Sequence, residues 1–130
     1  MNLFVYGSLR RDAAGRPHPL MATASFVGAA TVAGRLYRVS WHPGLILDPA
    51  AGRVHGELFH FPAGSEAALA ALDTYEGEMF SLAAVRVQLN TNETVDAFTY
   101  TWLGDPASAT FVPGGDWGAP TTGGPPEPRA

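Results

Sequence analysis

Apolar and polar positions divide this chain into short blocks. Leu3 to Tyr6 is an unbroken apolar run that reads as a short buried strand. Gly7 to Pro19 is turn-rich, with Gly15, Pro17 and Pro19 as breakers, and a short helix fits Pro19 to Ala24. Phe26 to Val39 is rich in β-branched and aromatic residues with Gly28 and Gly34 inside, which predicts one long bent strand or two short ones. "SWHPGLILD" reads as a loop around Pro43-Gly44, and a strand follows from Arg53 to Phe61. In "PAGSEAALAALDTYEG", Ser65 can cap a helix along which Leu69, Leu72 and Tyr75 recur at helical spacing. Gly77 then fits the left-handed position just past its end. Leu82 to Leu89 and Val95 to Leu103 alternate as two strands around the hairpin turn "NTNET". The first puts Val85, Val87 and Leu89 on one face, and the second gathers Phe98, Tyr100 and Trp102 as one wall of the core.

Strands, one good helix, then strands argue an α+β domain with a mostly antiparallel, strongly bent sheet. Short strands with interior glycines favour closure into a small β-barrel flanked by helices, which also removes exposed edges. The 130 residues suit one domain over 1–118, and "APTTGGPPEPRA" over 119–130 has the composition of a flexible tail.

Composition narrows the chemistry. There is no cysteine, which removes disulfides, thiolate nucleophiles and cysteine-bound zinc. All eight basic residues are arginine, so a Schiff-base or P-loop lysine is excluded. A net charge of -4 argues against nucleic acid as a partner. Neither a signal peptide nor a membrane-length apolar run is visible, which predicts a soluble, cytoplasmic protein. His55 and His60, five apart on a strand, fall on opposite faces, and with His42 they make no metal site. No metal and no cofactor is expected.

Two stretches carry candidate chemistry. Glu76 ends the predicted helix, where the helix dipole disfavours a carboxylate; burial would push its pKa up as well, towards that of a group able to take and return a proton. Tyr6-Gly7-Ser8-Leu9 can converge backbone N–H groups on an anion. Each alone fits a plainer account: a solvated helix-end acid flanked by the surface charges Asp73 and Glu78, and an ordinary strand-to-loop turn.

Together they are more specific. "FVYGSLRR", "GRLYRV", "HPGLILD", "VHGELFHF", "LDTYEG" and "GDW" follow in that order between residue 3 and about residue 117. This succession resembles the γ-glutamylcyclotransferase-like (AIG2-like) family. The resemblance implies a small β-barrel fold and cyclisation of a γ-glutamyl amine or amino acid to 5-oxoproline with release of the free amine. It implies that Tyr6, Gly7, Ser8 and Leu9 hold the γ-glutamyl moiety and that Glu76 is the catalytic acid/base. The substrate's own α-amine is the nucleophile, so the missing cysteine and lysine are no obstacle. The loop N–H groups suit either an α-carboxylate or the developing oxyanion.

One position departs from the pattern. Many members follow the motif with an aromatic and then a basic residue, whereas here Phe80 is followed by Ser81 and Leu82. Arg10, Arg11 and Arg86 are the candidate substitutes. A non-catalytic small-molecule-binding or regulatory module on the same fold is the alternative reading. Trp117, after a glycine turn, is a candidate pocket cover or structural plug. The leaving amine and the oligomeric state are not specified by these residues.

Overall fold

The computed structural model describes residues 1–118; the tail expected over 119–130 lies outside them. Seven strands form in the order β1 (Asn2–Val5), β2 (Ser25–Val39), β3 (His42–Leu47), β4 (Arg53–His60), β5 (Phe80–Leu89), β6 (Thr94–Trp102) and β7 (Thr110–Phe111). The helix α1 (Glu66–Glu76) stands between β4 and β5, and 3-10 turns occupy Pro19–Met21 and Pro106–Ser108. The flanking helices expected are therefore one α-helix and two single turns. No helix among the described residues is long and apolar enough to cross a membrane.

Five strands close a mixed barrel in the order β2-β4-β1-β6-β5, sealed where β2 also pairs with β5 through Ala30–Leu89 and Thr31–Gln88. All pairings are antiparallel except that of β1 with β6. The long β2 carries a register shift between Phe26 and Gly28 and serves two layers. Its first half pairs with β4, and its second half extends past the barrel to pair with β3 and β7.

The loop expected around Pro43-Gly44 is in fact β3. The chain reverses at Ser40, whose φ of 61° is left-handed, and His42 to Leu47 pair with Val39 to Gly34. β3 lies at the end of the sheet path, where a proline costs no ladder bond on its open side.

β1 is central and buried on both faces, which explains its lack of alternation. Phe4 and Tyr6 join Val32, Leu36, Leu45 and Leu58 in one core cluster. Leu3 and Val5 point the other way, into a cluster with Leu72 of α1, Phe59, Tyr100 and Trp102. Gly56 lets β4 approach β1, because a Cβ there would stand 2.2 Å from the Val5 carbonyl oxygen.

Phe98 shares the strand parity of Tyr100 and Trp102, but it is 41% exposed while those two are buried. The wall expected from all three is thus made by two, since cover on that face does not extend to Phe98. Ser65 does occupy the N-cap position of α1, but it makes no side-chain cap; its hydroxyl donates to the Pro62 carbonyl at 2.6 Å instead.

Candidate active site

The parallel pairing of β1 with β6 (Leu3 with Phe98, Phe4 with Thr99) sets the carboxyl ends of these strands side by side. The buried Thr99 hydroxyl locks them by donating to the Phe4 carbonyl at 2.9 Å. Tyr6 leaves the end of β1 and Tyr100 lies near the end of β6. The Tyr6 hydroxyl donates to the Tyr100 carbonyl at 2.6 Å and accepts from the Leu45 N–H at 3.3 Å. Three strands are tied at one phenol.

The helix delivers the acid to the same place. Leu72 and Glu76 are four residues apart on one face of α1, and both are fully buried. Gly77 ends the helix at φ 81°, ψ -175°, and its N–H donates to the Asp73 carbonyl at 3.1 Å. That conformation is essentially confined to glycine. Its consequence is that the chain turns away directly after Glu76, leaving that side chain packed inward.

Electrostatics report the proximity. The Tyr6 hydroxyl is pushed well above its ordinary pKa, first by burial and then by the Glu76 carboxylate. The Tyr100 hydroxyl is raised by burial, by its hydrogen bond to Asp73, by the charge of Asp73 and by that of Glu76. Glu76 therefore lies within electrostatic reach of both phenols, and both stay protonated at neutral pH.

The sequence-predicted residues come together. Gly7, Ser8 and Leu9 are buried beside Tyr6, and the Arg10 N–H closes their turn onto the Gly7 carbonyl at 3.1 Å. The Ser8 hydroxyl lies 2.8 Å from that of Tyr75, the residue preceding Glu76. The turn after the first strand and the end of the helix are thus in direct contact.

Several residues at this end were not singled out for chemistry. Asp73, read as surface charge, accepts the Tyr100 hydroxyl at 2.5 Å; its place three residues before Glu76 was the available signal. Tyr75 and Tyr100 read only as core positions. Glu57 is nearly buried on β4 and accepts the Arg11 backbone N–H at 2.7 Å. His18 stacks edge-on to Tyr75 at 5.3 Å between ring centroids. The last two carried no pattern that marks a site.

The candidate substitute arginines are each engaged by an acid. Arg10 pairs with Asp116 at 3.0 Å, and the exposed Arg86 pairs with Asp96 at 3.1 Å. Arg11 pairs with Glu57 at 3.4 Å and lays its guanidinium over the Phe26 ring at 3.5 Å. Trp117 packs against the cluster around Phe4 and Tyr6, under Arg38 at 4.5 Å, a plugging rather than a covering position. Among the described residues, no group of three or more His, Asp or Glu side chains could hold a metal ion.

A family model described as "Gamma-glutamyl cyclotransferase, AIG2-like" matches residues 3–119. The γ-glutamylcyclotransferase family protein YtfP of Escherichia coli K12 is 31% identical over 118 residues, covering 90% of this chain and 96% of the relative. An AIG2-like protein from Mus musculus shares the fold with a TM-score of 0.68 at 24% identity, covering 95% of this chain and 90% of that one. A Pyrococcus horikoshii protein does so with a TM-score of 0.66 at 19% identity, over 90% and 89% of the two chains. Motif order, closed mixed barrel and family match agree: this chain belongs to the γ-glutamylcyclotransferase, AIG2-like family.

Proposed function

We propose that this protein cyclises the γ-glutamyl group of a small γ-glutamyl amine or amino acid to 5-oxoproline, with Glu76 as general acid/base. The observation that carries this reading is the fully buried Glu76 at the end of α1, in electrostatic reach of Tyr6 and one residue from the tyrosine that contacts Ser8.

The reaction needs no protein nucleophile. The substrate's α-nitrogen attacks its own γ-carbonyl carbon, a C–N bond to the ring nitrogen forms, and the C–N bond to the leaving amine breaks. The α-ammonium must first lose a proton, which the Glu76 carboxylate takes. Glu76 then protonates the leaving nitrogen as the tetrahedral intermediate collapses. The second proton on the ring nitrogen follows the same route once the carboxylate is regenerated, and the amine departs as an ammonium ion. In this reading the Tyr6–Leu9 turn holds the γ-glutamyl chain folded for attack, an orientation effect worth several kcal/mol.

The test is incubation of the protein with γ-glutamyl amines and γ-glutamyl amino acids, measuring 5-oxoproline and free amine together. Equimolar release from at least one substrate supports the reading. Saturable binding by calorimetry with no release from any of them would favour the non-catalytic module.

A further inference from the structure

β1 and β6 splay apart at the amino end of β1. Their last paired residues there are Leu3 and Phe98. Met1 stays with the chain that leaves β4: its amino group donates to the Phe61 carbonyl at 2.8 Å, and the Phe61 N–H donates to the Met1 carbonyl at 2.7 Å. β6 stays with β5, as far as Thr94 opposite Gln88. A cleft of about 560 Å³ lies where they part, with Asn2 and His60 on one side and Ala84, Arg86, Asp96 and Phe98 on the other. The Asn2 side chain stitches across the gap. Its Oδ1 accepts from His60 Nδ1 at 2.8 Å, and its Nδ2 donates to the Asp96 carbonyl at 3.3 Å. Tyr6 and the candidate site lie past the other end of β1.

Two facing pairs on the outer side of β5 and β6 give the cleft its chemistry. Ala84 lies opposite Phe98, and Arg86 lies opposite Asp96. Phe98 brings the exposed ring that other elements leave uncovered. Arg86 and Asp96 form an ion pair at 3.1 Å, with side chains 69% and 86% exposed. A pair so exposed adds little to stability, and both of its charges stay open to a ligand. The volume falls within the range of small-molecule sites, roughly 300–1,000 Å³.

We propose that this cleft binds a free aromatic α-amino acid, its ring against Phe98 and its zwitterion across the Arg86–Asp96 pair. Charge complementarity selects the occupant. A simple anion drawn to Arg86 meets the Asp96 carboxylate beside it, and a simple cation drawn to Asp96 meets the guanidinium. A zwitterion satisfies both: its carboxylate faces Arg86, its ammonium faces Asp96, and the four charges alternate. The two rows are two residues apart along each strand, about 7 Å, within the reach of an aromatic side chain. Ring-on-ring contact with Phe98 then favours an aromatic over an aliphatic side chain. The site stands apart from the cyclisation reading, since none of its residues touches Glu76 or the Tyr6–Leu9 turn in that role.

The test is calorimetry on the full chain with L-phenylalanine, with phenethylamine, which lacks the carboxylate, and with hydrocinnamate, which lacks the ammonium. Wild type should bind phenylalanine about three- to tenfold more tightly than either analogue. Arg86→Gln should weaken phenylalanine to the level of phenethylamine while leaving phenethylamine no weaker. Asp96→Asn should do the same relative to hydrocinnamate. Phe98→Ala should weaken all three. Amide NMR shifts on adding phenylalanine should cluster at Ala84–Arg86 and Asp96–Phe98.

The wild-type comparison decides the matter even if a variant fails to fold. Phenylalanine bound no better than its analogues, or not bound at all, would overturn the proposal. So would shifts centred on Gly7–Leu9, which would put the amino acid in the candidate active site. A concentration-dependent dimer broken by Phe98→Ala, with no phenylalanine binding, would give the cleft to a second copy of the chain instead.

Discussion

Ser8 and Tyr75, sixty-seven residues apart in sequence, meet hydroxyl to hydroxyl at 2.8 Å. One lies within the turn after the first strand; the other stands beside the terminal acid of the helix. The contact joins the two halves of the candidate site more directly than any backbone pairing does. Removing it through Ser8→Ala or Tyr75→Phe should cost about 0.5–1.5 kcal/mol in urea unfolding. Because each substitution breaks the same bond, the double variant should cost less than the sum of the singles. Strict additivity would mean that the two hydroxyls do not share a bond in solution.

Gly77 holds a backbone conformation that side-chain-bearing residues rarely adopt, and a Cβ there would meet nothing within 4 Å. Any penalty for Gly77→Ala is therefore backbone strain and not a clash. A loss of about 1–3 kcal/mol is expected, together with reduced activity as Glu76 is displaced. Thermal unfolding and initial rates on the same preparation check both. Unchanged stability would show that the helix ends differently.

Tyr6 and Tyr100 are both raised above the ordinary tyrosine value of 10.0. Their protonated forms are favoured in the folded state, so this contribution is complete below pH 10 and is lost as pH rises further, when the unfolded chain ionises first. Denaturant unfolding at pH 9 and pH 11 should give a lower stability at the higher pH, and the drop should shrink in Tyr6→Phe. Absorbance near 295 nm should show these two phenols ionising only as the fold is lost. Full ionisation of every tyrosine near pH 10 in the native state would contradict the burial.

The close approach of β4 to β1 predicts the effect of Gly56→Ala. Its Cβ would fall 2.2 Å from the Val5 carbonyl oxygen and 2.7 Å from Phe4 Cζ, so backbone must shift. Overpacking of this kind costs about 1–3 kcal/mol, readable as a lower melting temperature. A neutral substitution would argue that β1 and β4 are farther apart.

Much of this arrangement was legible in the residues. The helix was readable because capping position, period and terminal glycine agree over Ser65 to Gly77, and local rules suffice where they agree. The inward face of Glu76 was also implicit, since it stands four residues beyond the core residue Leu72. β3 was hidden because Pro43 and Gly44 signal a break, and only the open edge of the sheet makes them acceptable in a strand. Phe98 follows strand parity, but exposure depends on where cover from other elements ends, which no single strand encodes. Asp73 and His18 gain their meaning from Tyr100 and Tyr75, partners brought by tertiary contact alone. The Tyr6–Leu9 turn and Glu76 were found by motif; the hydroxyl network that binds them together was not.

The central claim is that Glu76 moves the proton and the Tyr6–Leu9 turn holds the substrate. Glu76→Gln separates the two, because it keeps size and hydrogen-bonding reach while removing the base. With the best γ-glutamyl substrate of wild type, 5-oxoproline release should fall by about two to four orders of magnitude, the usual worth of a general acid/base, while the calorimetric Kd stays within a few-fold. A Glu76→Gln protein that forms 5-oxoproline at the wild-type rate would contradict the account.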